Sequence, residues 1–203
     1  RRQCDVAVEV RHAQIKGTVQ FGGDYSSSNP FLPIGEQTQA SHLTWTDQII
    51  KNNQTTYLEC AAVRHRYHAP LARTVHLGKP PQKLLDTNKA VLEGMEAAME
   101  QVRPGNTCHA VENAWRTVLA KYGLKKESRI GYPIGIGYPP TWGERTASLR
   151  KDDMTVLQPN MCFHMILGMW MDGWGFETSE SFRVTAKGAE CLTKVPRGLK
   201  VIN

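Results

Sequence analysis

Nowhere in its 203 positions does the chain hold 18 consecutive apolar residues, so no transmembrane helix and no membrane partner is expected. Its first ten residues, RRQCDVAVEV, lack the apolar core of a secretory signal. They also lack an initiating methionine and open inside a helical pattern, which predicts the C-terminal part of a longer protein. No repeat or low-complexity tract occurs. Cysteine is sparse and scattered: Cys4, Cys60, Cys108, Cys162 and Cys191 are odd in number, far apart and without a Cys-x-x-Cys pair. A disulfide framework or structural zinc site is therefore not expected, and a reducing cytoplasm fits best. Concentrated charge is missing too. The net charge of +6 comes from dispersed residues, and its densest cluster is GLKKESR at 123–129. Charge spread in this way is a solvated surface, not a nucleic-acid footprint.

What remains is an ordinary globular composition, with 40% hydrophobic and 22% charged residues, enough to bury a substantial core. Residues 3–17 carry a helical pattern that stops at Gly17. Residues 21–47 are rich in Gly, Ser, Pro and Asn and read as a long loop of the functional or partly strand-paired kind. Residues 55–63 and 68–77 read as two strands joined by a solvated basic turn, RHRY. Leu84, Leu85, Val91, Leu92, Met95, Met99 and Val102 repeat at helical spacing over 82–102. A second helix is expected over about 107–122, with Val111, Trp115 and Leu119 on one face. Residues 131–146, GYPIGIGYPPTWGERT, read as a glycine- and proline-rich site loop. Two further strands, 162–171 and 176–186, flank the hairpin signal Asp172-Gly173. This order implies a single mixed α/β (α+β) domain over 1–203, with a largely antiparallel sheet flanked by helices.

The element order and several local motifs together resemble the pita-bread fold of the creatinases, prolidases and methionine aminopeptidases. The motifs are EQTQASHLTWTD, TTYLECAAVRHRYHAPLARTVHLG, VRPGNTCHAV, LQPNMCFHM and FRVTAKGAECLT, and they run over nearly the whole chain. Most members of that fold hold two metal ions with two Asp, one His and two Glu. The resemblance places those five ligands at Glu59, Pro70, Ile134, Ile166 and near Ser179, with Glu177 and Glu180 close by but out of register. One carboxylate out of five does not hold two divalent cations. No metal and no other cofactor is therefore expected, and peptidase activity is not expected.

Other groups stand beside the lost ligands. His42 lies seventeen residues before Glu59, where the resemblance places the fold's first histidine. His164 is two residues before Ile166 and His68 two before Pro70, so each shares a strand face with a vanished ligand. The segments SHLTWTD, RYHAPLARTV, GYPIGIGYPPTWGERT, CFHMILGMWMDGWGFETSE and VTAKGAECLTKVPRGL are more specific than the fold markers. They resemble the ectoine hydrolases, a branch of the same fold. That resemblance implies opening of the cyclic amidine ring of ectoine or hydroxyectoine to an N-acetylated diaminobutyrate. It also implies a cytoplasmic homodimer and an additional N-terminal creatinase-like domain outside this sequence.

The chemistry of such a substrate agrees with the residues. A protonated amidine carries its own positive charge, so its central carbon needs no Lewis acid, and two divalent cations would repel it. Under this reading Glu59 is the nucleophile or general base, His42 shuttles the proton to the leaving nitrogen, and His164 carries or orients protons. His68, Glu177, Tyr138, Trp142 and Glu144 are the expected substrate-binding residues, with the substrate carboxylate left to Arg145, to Arg64 or equally to an arginine of the additional N-terminal domain or of a partner subunit. Each has a plainer alternative: a satisfied core histidine, a solvent-facing glutamate or aromatic packing. Two other functions stay open, another hydrolase of the fold (creatinase-like or peptidase-like) and a non-catalytic binding protein.

Overall fold

The computed structural model describes all residues 1–203 and places each long expected element within a few residues of its predicted span. Helix α1 (Gln3–Lys16) is followed by a long segment with one 3-10 turn at Gly35–Gln39. Strands β1 (Thr55–Arg64) and β2 (Tyr67–Leu77) form an antiparallel hairpin in which Glu59 faces Ala72 and Ala61 faces Pro70. Helices α2 (Gln82–Glu100) and α3 (Cys108–Lys121) come next, the second capped by the Thr107 side chain. Then follow β3 (Gly131–Tyr138), β4 (Thr141–Gly143), β5 (Cys162–Met171), β6 (Trp174–Thr185), β7 (Gly188–Cys191) and β8 (Lys200–Ile202). No helix is long and apolar enough to cross a membrane.

The strands join in the order β1-β2-β3-β5-β6-β7, with β4 on β3 and β8 parallel to β2. This is the expected largely antiparallel sheet, and alternation along its strands sorts the two faces. Phe163, Met165, Leu167 and Met169 of β5 and Phe176 and Phe182 of β6 pack under α2 and α3 with Leu84, Val91, Met95, Trp115 and Leu119. That cluster of 19 buried residues is the core. The intervening residues, His164 and Ile166 on β5 and Glu177, Ser179 and Ser181 on β6, take the other face and are also buried.

Curvature brings β2 across β6 on that inner face. Thr74 Oγ1 donates to the Glu177 carbonyl at 2.7 Å and accepts from its N–H at 2.8 Å. Ser179 Oγ accepts from Ala72 N–H at 2.6 Å, and Ser181 Oγ donates to the Pro70 carbonyl at 2.7 Å. Two positions assigned by resemblance to metal ligands, Pro70 and Ser179, thus serve the closure of the sheet.

Two local expectations are corrected. The stretch 131–146 is not a free loop but the β3–β4 hairpin, in which Ile134 pairs with Gly143 and Tyr138 with Thr141. Its glycines read as breakers because they lack side chains, yet here that lack permits contact. A Cβ on Gly131 would lie 2.7 Å from the His164 carbonyl oxygen, and one on Gly137 would lie 3.1 Å from His68 Nδ1. The RHRY turn is not simply solvated either. Arg66 folds back, donates to the Gly137 carbonyl at 2.7 Å and stacks 4.0 Å from the Tyr25 ring.

Candidate active site

The long segment before β1 is the front wall of the site. Phe31 and Glu59 exchange backbone hydrogen bonds of 2.9 and 3.0 Å, so the segment pairs with β1 at the level of Glu59. Ser28, Phe31 and His42 are thereby delivered to a cavity of about 310 Å³, completed by Glu59, Tyr132, Pro140, Thr141 and Trp142. His42 stands on the open side with a positive φ of 64°, its ring 5.0 Å from Phe31. Phe31 in turn lies 5.9 Å from the Trp142 ring. The cavity is aromatic-walled, with a carboxylate in its floor and an imidazole at its mouth.

Glu59 is only 2% exposed, and Glu177, 1% exposed, interacts with it electrostatically. Neither takes part in the chain's ion pairs, which join Arg2 to Asp5, Arg73 and Arg197 to Glu180, His109 to Asp152, Arg116 to Glu112 and Arg183 to Glu190. Burial, then the charge of Glu177, holds the Glu59 carboxyl well above the usual carboxylate range. Burial pushes Glu177 up to about 8, with Lys126 acting against the rise. Glu177 Oε2 is fully buried and has no hydrogen-bond partner. Two buried carboxyls that influence one another without an ion-pair partner favour their protonated forms, and ionise readily only when something cationic completes them.

A second polar line runs behind the aromatic wall. Trp142 Nε1 donates to Tyr132 Oη at 3.0 Å, and Tyr132 Oη lies 3.0 Å from His164 Nδ1. An indole can only donate, so Tyr132 accepts from it and gives its own proton to Nδ1. The imidazole hydrogen is left on Nε2, which is buried and unpartnered. Burial, and then Arg73, holds the His164 imidazole down at about 3, so it is neutral at physiological pH.

The expected site residues separate into groups. Glu59, His42 and Trp142 line one cavity; His164 and Glu177 lie on the same inner sheet face and are linked to it through Tyr132 and Glu59. His68 also faces inward, but both nitrogens are occupied: Nε2 takes the Ser27 N–H at 3.1 Å, and Nδ1 donates to the Arg66 carbonyl at 2.8 Å. It anchors the front segment instead of offering a free nitrogen to a ligand. Tyr138 is exposed at the hairpin end, its ring 4.9 Å from the Arg66 guanidinium, outside the cavity lining. Glu144 is also outside it, tied by its backbone to Pro133. Arg64 stacks 3.6 Å above Phe21 and Arg145 is exposed, so neither reaches the lining. Glu180 faces the opposite side, bonded to Arg73 at 2.7 Å.

Three residues were not singled out from the sequence. Tyr132 is both wall and relay. Arg129, half-buried, lies 4.6 Å from the Tyr132 ring and close enough to lower the His42 pKa after burial. Lys126 donates to the Gly168 carbonyl at 2.6 Å and sits 3.9 Å from the Trp170 ring. Both cations come from the GLKKESR cluster, whose solvent-like composition concealed them. Only the fold turns two of its members inward.

The residues do not fit a metal centre of the kind that the fold family implies. Pro70, Ile134 and Ile166 offer no side-chain donor, Ser179 is engaged with Ala72, and no group of three or more His, Cys, Asp or Glu could hold a metal ion.

Known proteins place the chain in context. The model of metallopeptidase family M24 matches residues 1–186. A Sinorhizobium fredii protein called uncharacterized hydrolase/peptidase y4tM is 46% identical over 98% of this chain and 51% of its own length. The ectoine hydrolase of Halomonas elongata is 46% identical over 89% of this chain and 46% of its own length. The chain therefore spans about half the length of the curated relatives it matches. Among solved structures, the prolidase of Thermococcus sibiricus superposes with a TM-score of 0.88 at 22% identity, over 100% of this chain and 54% of that one.

Proposed function

The chain belongs to metallopeptidase family M24, and from that premise we propose that it is the catalytic part of a metal-independent hydrolase that opens the cyclic amidine ring of ectoine. The observation that carries the reading is the carboxyl pair. Glu59 and Glu177 are buried together without an ion-pair partner, which is the complement of a cationic ring. The identity to ectoine hydrolase supports the same substrate class.

In this reading the amidinium lies against the pair, with Glu177 holding one ring nitrogen. Its positive charge favours the ionised carboxylates, and the carboxylates favour the cation. Glu59, in the floor of the cavity, attacks the amidine carbon or takes a proton from the water that does. The carbon then becomes tetrahedral, and one ring C–N bond breaks as its nitrogen accepts a proton; where Glu59 itself attacked, water then adds to the same carbon, displaces the Glu59 carboxylate and supplies the oxygen of the opened product. His42, at the mouth and held mostly neutral by burial and Arg129, receives and returns that proton. The Trp142–Tyr132–His164 line keeps the wall rigid and presents a neutral imidazole N–H on the inner face. Arg129 is outside the cavity lining, as Arg64 and Arg145 are, but its guanidinium stands 4.6 Å from the Tyr132 ring of the wall and has no ion-pair partner, and in this reading it supplies the cation for the ring carboxylate.

The test is ectoine turnover by the full-length protein, followed by proton NMR with excess chelator present. Ring opening that persists under chelation and is lost in Glu59→Gln supports the reading. Intact, folded protein that leaves ectoine unchanged overturns it and favours a binding protein or a different substrate.

A further inference from the structure

Phe31 and Glu59 stand opposite one another in a single antiparallel bridge, and each N–H donates to the other's carbonyl, at 2.9 and 3.0 Å. In such a hydrogen-bonded pair the two side chains leave the same side of the ladder, with Cβ atoms about 5 Å apart. The phenyl ring and the carboxyl therefore enter the cavity together, and both line it. The ring is half-buried and packs against the cluster of Ala61, Val63 and Trp142. Its aromatic neighbours do not stack on it: Trp142 at 5.9 Å is tilted by 54°, and His42 at 5.0 Å by 57°. No parallel aromatic ring covers its face. Trp142 is the buttress, 3% exposed and fixed by its N–H on Tyr132. Packing alone would accept a leucine at position 31. A phenyl face beside a buried carboxyl does what a leucine cannot, because its quadrupole attracts a cation.

We infer that Phe31 is a specificity-determining residue of this site: its ring face and the Glu59 side chain flank a seat for a flat, delocalised cation. The inference rests on the proposed reading of the cavity as the place of a cyclic amidinium. The two flanks do different work. The phenyl ring meets one face of the cation, where the positive charge is spread over two nitrogens and the carbon between them. The opposite face of that carbon is left to Glu59 or to the water it activates. A neutral lactam of the same size fills the same space but draws no attraction from the quadrupole. An alkylammonium carries the charge but has no flat face to lay on the ring. The seat thus selects the charged ring and fixes its plane, while the bond-making stays with Glu59.

Stepwise fluorination of the ring tests this in the full-length protein. Phenylalanines bearing one, two and three ring fluorines are incorporated at position 31, which weakens the quadrupole and leaves the size of the side chain almost unchanged. The probe is the methyl-substituted tetrahydropyrimidinium ion, the ectoine ring without its carboxylate, and binding is read by calorimetric titration. Its Kd is expected to rise with each fluorine, by roughly five- to thirty-fold over the series. Phe31→Leu should weaken it to a similar extent, and the Kd of a six-membered lactam should not rise in any variant. For ectoine itself KM should climb in step, with kcat little changed. A parent protein that does not bind the probe, or a folded fluorinated series that binds it as tightly as the parent, overturns the inference. A flat series in a protein that still opens ectoine defeats the cation seat and leaves the ring-opening reading standing. A graded series in a protein that never opens ectoine upholds the seat and defeats the ring-opening reading alone. Should Phe31→Leu not fold, the fluorinated series, which keeps the ring, decides.

Discussion

At the residue scale the site is governed by which charges lack partners. Glu59→Gln retains shape and loses the base or nucleophile, so kcat should fall about 10²–10⁴-fold, measured by turnover at saturating ectoine. Arg129→Gln should act differently. Loss of one charge-assisted contact to the substrate carboxylate is worth about 1.5–3 kcal/mol, or about 10–100-fold in KM, with a smaller change in kcat. The control is a ring analogue without the carboxylate, which the variant should handle as well as the parent. Glu177 carries a pH signature. Its folded pKa of about 8 stands above the ordinary 4.5, so the stability it contributes is full below 4.5 and is lost as pH rises towards 8. Without substrate, Glu177→Gln should therefore be more stable than the parent at pH 8 and gain nothing at pH 4, by chemical denaturation at both values. Both carboxylates were legible in the sequence because each stands on, or two residues from, a ligand position in a strand. His68 passed the same test of periodicity and still belongs to the framework, since periodicity reports a side chain's face but not what already occupies its nitrogens.

At the scale of elements, the inner face is held by contacts between β2 and β6 that no single strand reveals. Arg73 is the fastener on the far side. It bonds Glu180 at 2.7 Å and the Val195 and Pro196 carbonyls at 2.8 Å each, tying β2 and β6 to the C-terminal segment. Arg73→Ala would strip a buried carboxylate of its nearer guanidinium and should cost about 3–5 kcal/mol in urea-induced unfolding. A near-parental stability would show that Arg197, 3.3 Å from the same carboxylate, suffices. The β3–β4 hairpin is the element that local pattern misread. Four glycines and three prolines within residues 131–143 signal a turn, and only tertiary contact with β5 and His68 explains why they are strand residues.

For the whole molecule, the coupling of charge to substrate predicts linked stability. Ectoine should raise Tm, and the increase at a fixed ectoine concentration should be larger at pH 8.5 than at pH 6, where protons occupy the carboxyls that bind the amidinium. Equal shifts at both pH values would mean that the ligand does not engage the pair. The net charge of +6 has no direct role in this, because ectoine carries an amidinium and a carboxylate and is neutral overall. In the proposed reading, selectivity comes from local charges at the cavity, not from the field of the surface.

The sequence by itself determined the long helices and strands other than the β3–β4 hairpin, the sorting of their faces and the loss of donors at all but one of the ligand positions. Hydrophobic period and residue identity are local, and the side chain of a proline or isoleucine offers a metal no donor in any fold. Tertiary structure alone decided which polar groups are paired. It occupied His68 with Ser27 and Arg66, left Glu177 without a partner, joined Tyr132 to Trp142 and His164, and drew Lys126 and Arg129 from a charged loop to the site. Those outcomes depend on through-space distance between residues far apart in the chain, and on burial, which makes an unpaired charge matter.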